Sequence, residues 1–272
     1  MVLEAIFNPF TIKKHPIQMF FAGAMYSFIA FLLAYIVFRE ISGILMVFLV
    51  VLASLPIIYT TIKEEEEIEL HIEKEWTLLK EHTKILMLFM ALFMGILFAF
   101  STIYIFSPES VVNDVFSLQH KAISDVSSGV QGAVVQPTAS FTKIFMNNIK
   151  VLFFCLIFSL LYGSGAIFIL TWNASVIAAA IGNVVKQELA VGVSSYFTIA
   201  AFSFFKYMSH GILEIAAYLV AGLAGGIISI AVIKHNLKEK RILFDALDLV
   251  LISIGLLFVA GIMETYITPI LF

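Results

Sequence analysis

Residues 207–233, YMSHGILEIAAYLVAGLAGGIISIAVI, decide the fold class. As a helix rising 1.5 Å per residue, this stretch reaches about 40 Å, more than the roughly 30 Å of a bilayer's hydrocarbon core. His210 and Glu214 are its only His, Lys, Arg, Asp or Glu residues. A run of this length and polarity is a membrane span. Small residues recur along it every four positions, at Ala217, Ala221, Gly225 and Ser229, and Gly222 pairs with Gly226. This small-xxx-small pattern lets helix backbones approach closely. It suits either the seam of a homodimer or tight packing against another helix of the same chain.

The rest of the chain has the same character. Hydrophobic residues make up 61% and charged residues 13%, against about 45–50% and about 25% in soluble domains. A net charge of −3 argues against nucleic acid as a partner, since binding a phosphate backbone needs a basic face. The single cysteine, Cys155, rules out a disulfide within the chain. Residues 1–16 lack the ordered regions of a signal peptide, so the first apolar run is expected to be a retained anchor.

Further spans are expected at 17–38, 41–62, 85–106, 151–170 and 249–271, each near the twenty apolar residues that crossing requires. Arg39-Glu40 alone separates the first two, which makes them a hairpin. Residues 172–185 and 193–205 are apolar but short. Each is either a short span or a re-entrant segment within 172–206. The expected fold is all-α: a polytopic bundle of about seven membrane segments. An N-terminal hairpin with an acidic extension (1–84) precedes a core membrane domain (85–272).

Lys and Arg set the orientation. Residues 63–84 hold four Lys and 234–241 hold Lys234, Lys238, Lys240 and Arg241, while the longer 107–150 stretch has only Lys121, Lys143 and Lys150. The N-terminus, 63–84 and 234–241 are therefore expected in the cytoplasm, and 107–150 outside. The expected location is the cell membrane. Residues 63–84 also hold eight Glu. They read as a solvated helix, because consecutive residues such as Glu64–Glu67 point in different directions and make a poor metal cage.

Ionisable groups within spans cost about 2.5–3.5 kcal/mol each on insertion scales, so each needs a reason. Here they are His210, Glu214 and Glu264. His210 and Glu214 share a helix face at i, i+4. If the 207–233 span enters from outside, Glu214 lies about 10 Å deep. Glu264, seven residues from Leu271, lies at a similar depth, and Asn147 and Asn148 flank the 151–170 span on the same side. An outer-leaflet cluster of Asn147, Asn148, His210, Glu214 and Glu264, drawn from three helices, is expected. It suits a packing network, a site for an ion, proton or small solute, or a metal site. His210, Glu214 and Glu264 match the three protein ligands common for catalytic zinc. Gly163-Ser164-Gly165 invites comparison with intramembrane serine proteases, but Ser164 lies roughly 20 Å along its span from the outer end, out of reach of His210. No catalytic residue and no cofactor is assigned.

Asn147-Asn148-Ile149, the Gly163–Gly165 region, Trp172-Asn173-Ala174, Ser209-His210-Gly211-Ile212-Leu213-Glu214, Ala221–Gly225 and Met263-Glu264-Thr265-Tyr266-Ile267-Thr268-Pro269 occur in that order. Together they resemble the stage II sporulation protein M family over about residues 85–272. The added N-terminal hairpin resembles longer archaeal-type members. The resemblance implies a multi-pass membrane scaffold or assembly partner, which in spore formers works with cell-wall hydrolases during engulfment. The expected partners are the bilayer, membrane or extracytoplasmic proteins, and, through the small-residue stripe, a second copy of the chain. A transporter or channel for an ion or small solute is the alternative, and an intramembrane metal-dependent enzyme the third reading.

Overall fold

A computed structural model describes residues 16–69, 75–131, 137–162, 166–190, 196–233 and 240–271. These are helical nearly throughout, with no strand among them. We number the helices α1 (Pro16–Val37), α2 (Ser42–Glu69), α3 (Glu75–Phe106), α4 (Glu109–Val115), α5 (Ser117–Gln131), α6 (Pro137–Tyr162), α7 (Ala166–Ala190), α8 (Tyr196–Ile233), α9 (Lys240–Ile262) and α10 (Thr268–Leu271). A π-helical turn, Met263–Ile267, joins α9 to α10. Seven of these helices are long and apolar enough to cross a membrane: α1, α2, α3, α6, α7, α8, and α9 continued through its π turn. The chain is a multi-pass membrane protein of the all-α class.

The apolar runs specify the helices, and their interruptions specify the turns. Arg39-Glu40 breaks the first run into a 3-10 turn, Arg39–Ile41, where the Ser42 hydroxyl donates to the Arg39 carbonyl at 2.8 Å. Within α2, Pro56 has no N–H to give the helix. One turn on, the Thr60 and Thr61 hydroxyls donate to the carbonyls of Pro56 and Ile57.

Two boundaries differ from those expected. The fourth span does not run from 151 to 170: α6 begins at Pro137 and ends at Tyr162, and α7 starts afresh at Ala166. Apolar residues continue on both sides of the break, so composition alone does not reveal it. Gly163, Ser164 and Gly165 lie outside the described residues. The second difference concerns the short runs. Residues 172–185 lie inside the continuous α7, and from Tyr196 onward the 193–205 run is the first part of α8. At 38 residues, α8 is about 57 Å long, so it extends past a hydrocarbon core.

α8 is the most enclosed of the membrane-length helices, packing on α9, α6 and α7. Its small residues make that possible. A Cβ placed on Gly225 would stand 2.7 Å from the Leu156 carbonyl oxygen of α6, and one on Gly222 would stand 2.7 Å from the Ala166 Cβ of α7. Ala217, Ala221 and Ala224 are fully buried, and Gly226 is buried too. The stripe is therefore filled by helices of the same chain, the second of the two readings given for it. At the other side of the bundle, Gly23 of α1 and Gly95 of α3 bring those two backbones together in the same way. The N-terminal hairpin thus shares one apolar core with the rest.

α4 and α5 cap the end of the bundle where α3 stops. Arg39 pairs with Asp114 at 2.7 Å, the Gln119 amide donates to the Ser175 hydroxyl at 3.1 Å, and His120 Nε2 shares a hydrogen bond with the Tyr104 hydroxyl at 2.9 Å. Toward the opposite end, buried His82 of α3 stands 3.6 Å from Asp245 of α9.

Candidate functional site

α8 presents His210, Glu214 and Tyr218 at successive i, i+4 positions, hence on one face. The segment that follows α9 runs antiparallel to it and presents Glu264 and, four residues later, Thr268. The two i, i+4 pairs meet rung to rung. On one rung, His210 Nδ1 lies 3.2 Å from Thr268 Oγ1, which is also 3.2 Å from Ser209 Oγ. On the next, the Glu214 and Glu264 carboxyls face each other within hydrogen-bonding reach. From α6, Asn148 Nδ2 donates to Glu214 Oε1 at 2.6 Å.

The π turn positions Glu264. A π turn carries one more residue than an α turn, and such bulges recur at functional sites. Here it covers the segment Met263–Ile267 where α9 passes Glu214. Thr265, within the same turn, has a buried hydroxyl oxygen with no hydrogen-bond partner.

The chemistry of the second rung is specific. Ionised carboxylates only accept hydrogen bonds, so a carboxyl–carboxyl bond exists only while a proton sits on one of the two. The Asn148 amide supplies a further donor to the pair. Beneath the pair, buried Tyr218 is within electrostatic reach of both carboxyls, and buried Cys155 of α6 is within reach of Tyr218. A polar column thus runs inward from Ser209 through the carboxyls to Tyr218, inside an otherwise apolar bundle.

Of the five residues anticipated for the cluster, the structure brings Asn148, Glu214 and Glu264 into direct contact. His210 is adjacent, but its described partners are Ser209 and Thr268. Asn147 is exposed, on a different face of α6 from the buried Asn148. Among the described residues, no three of His, Cys, Asp and Glu converge as metal ligands, so the arrangement gives a metal centre no support. Sequence reasoning passed over Thr268, Ser209 and Tyr218. The signal for Thr268 was present: Glu264/Thr268 repeats the i, i+4 spacing of His210/Glu214, and two antiparallel helices bring such pairs together.

Fold and site together define a multi-pass helical membrane protein with a carboxyl pair held between three of its membrane-length helices. The chain belongs to the stage II sporulation protein M family, whose family model matches residues 83–269. An uncharacterised protein of Methanocaldococcus jannaschii is 30% identical over 179 residues, a match covering 64% of this chain and 91% of that protein. This agrees with the archaeal-type resemblance. No solved structure matches the chain.

Proposed function

We propose that the chain is an integral scaffold or assembly partner of the cell membrane, oriented with its N-terminus in the cytoplasm and α4–α5 outside. The observation that carries this reading is the filled centre of the bundle. Where α2, α3, α6, α7 and α8 converge, the void among Ile62, Phe93, Ser159, Leu170 and Leu223 measures about 20 Å³. That is room for about one water, in surroundings too apolar to hold it. A conduit needs a wider and more polar axis. A scaffold needs a rigid bundle with a platform at one end, which the α4–α5 cap supplies.

The test has two arms. In sealed vesicles, the purified chain should pass ions and small solutes no faster than empty vesicles do. In native membranes, a photo-crosslinking residue at exposed Lys121 of α5 should yield a discrete adduct with a defined protein. Solute flux together with no adduct would overturn the reading.

One observation favours a second reading, a proton-coupled carrier: two carboxyls, Glu214 and Glu264, face each other within membrane-length helices, and intramembrane carboxyls recur in proton relays. That reading predicts pH-gradient-driven uptake that disappears in Glu264→Gln.

A further inference from the structure

α3 forms one wall of a lateral cleft from Met94 to Phe106. Ile181 of α7 and Ala200 and Phe204 of α8 form the other wall, and Phe20 of α1 closes the deep end. The cleft holds about 360 Å³. The twelve steps along α3 from Met94 to Phe106 rise about 18 Å, roughly half of a hydrocarbon core of about 30 Å. The cleft is therefore about as deep as one leaflet. Its volume spread over that length gives a section of roughly 20 Å², enough for a hydrocarbon chain and far too little for a helix about 10 Å across. Of its two polar side chains, Ser101 and Thr102, the Thr102 hydroxyl turns back to donate to the Phe98 carbonyl at 2.8 Å.

The shallow end differs in kind. One residue beyond Phe106, the last lining residue of α3, Lys186 Nζ donates to the Ser107 carbonyl at 2.6 Å, and the ammonium lies 5.7 Å from the centre of the Tyr104 ring. An ammonium has three donors, and Ser107 takes one. Glu109 stands within electrostatic reach of the same lysine. A cation beside the outer end of an apolar slot about one leaflet long matches the two halves of a lipid.

The geometry points to this cleft as a binding site for one acyl chain of a phospholipid, with the headgroup phosphate on Lys186. The inference needs only that the bundle sits in a membrane. It stands or falls separately from the scaffold reading.

Native mass spectrometry of the full chain in detergent, titrated with dioleoyl phosphatidylglycerol, tests it. The wild type should retain one lipid after the micelle is stripped. Ala200→Trp and Thr102→Phe, which fill the slot, should lose that lipid. Leu251→Trp, on the exposed face of α9, should keep it. Lys186→Gln should lose preference for phosphatidylglycerol over uncharged dioleoylglycerol. Retention by both filled variants at unchanged thermal stability would overturn the proposal. Should those variants not fold, an unchanged headgroup preference in Lys186→Gln overturns it alone.

Discussion

Glu214 is held from two sides, by the Asn148 amide at 2.6 Å and by Glu264. Truncating it leaves a donor and a carboxyl without their partner, and each unsatisfied group costs about 1–3 kcal/mol. Glu214→Ala should therefore lower thermal stability clearly, whereas Glu214→Gln, which can donate to Glu264 as well as accept, should cost much less. Glu214→Ala and Glu264→Ala combined should be non-additive by about 0.5–3 kcal/mol in a double-mutant cycle. His210→Ala should couple with Thr268→Val instead. Strict additivity of the two glutamate changes would mean the carboxyls do not interact. His120 of α5 offers a separate check outside the spans. Burial pushes its pKa below the ordinary 6.5, so the folded cap binds fewer protons than the unfolded chain between the two values. The resulting stability is complete above about pH 6.5 and is lost as pH falls through the depressed folded value. Amide exchange in α4 and α5 should be faster at pH 5 than at pH 8, after correction for intrinsic rates, and His120→Gln should flatten the difference.

Among the elements, α8 depends most on a single residue type. A side chain at Gly225 meets the α6 backbone at 2.7 Å, and backbone cannot rotate away as a flexible side chain can. Gly225→Leu should cost about 1–3 kcal/mol or more, while Gly255→Leu on α9, where nothing lies within 4 Å of the added carbon, should cost little. Equal melting temperatures in detergent for the two variants would contradict this packing. These elements also show how far the sequence could be read. The spans of α1, α2 and α3 followed from their apolar runs because charges or Ser107-Pro108 end them. The α6–α7 break did not follow, because apolar residues lie on both sides of 163–165 and the boundary is set by packing rather than composition. Asn148, Glu214 and Glu264 were legible at the site, since carboxyls stand out in a span and amides at its edge. The partner of His210 was not: a threonine at 268 is unremarkable until the antiparallel register of α8 against α9 is known.

At the scale of the whole molecule, the charge distribution and the helix order give one consistent threading. If all seven membrane-length helices cross, the ends of α2 and α8 and the start of α9 lie on one side, and the α1–α2 turn with α4 and α5 on the other. The structure ties that second group together through Arg39–Asp114, so both parts must lie on the same face of the membrane. Lys and Arg concentrate on the first side, which is therefore the cytoplasmic one in the orientation proposed above. Two exposed lysines at opposite ends report the result: Lys121 on α5 and Lys63 on α2. The sole native cysteine, Cys155, is buried, so labelling background is low. In intact cells, Lys121→Cys should react with a membrane-impermeant maleimide, and Lys63→Cys should react only after the membrane is opened. The reverse pattern would invert the chain and move the carboxyl pair to the cytoplasmic half. Labelling of both positions in intact cells would place α5 and the end of α2 on one face, which seven crossings do not permit.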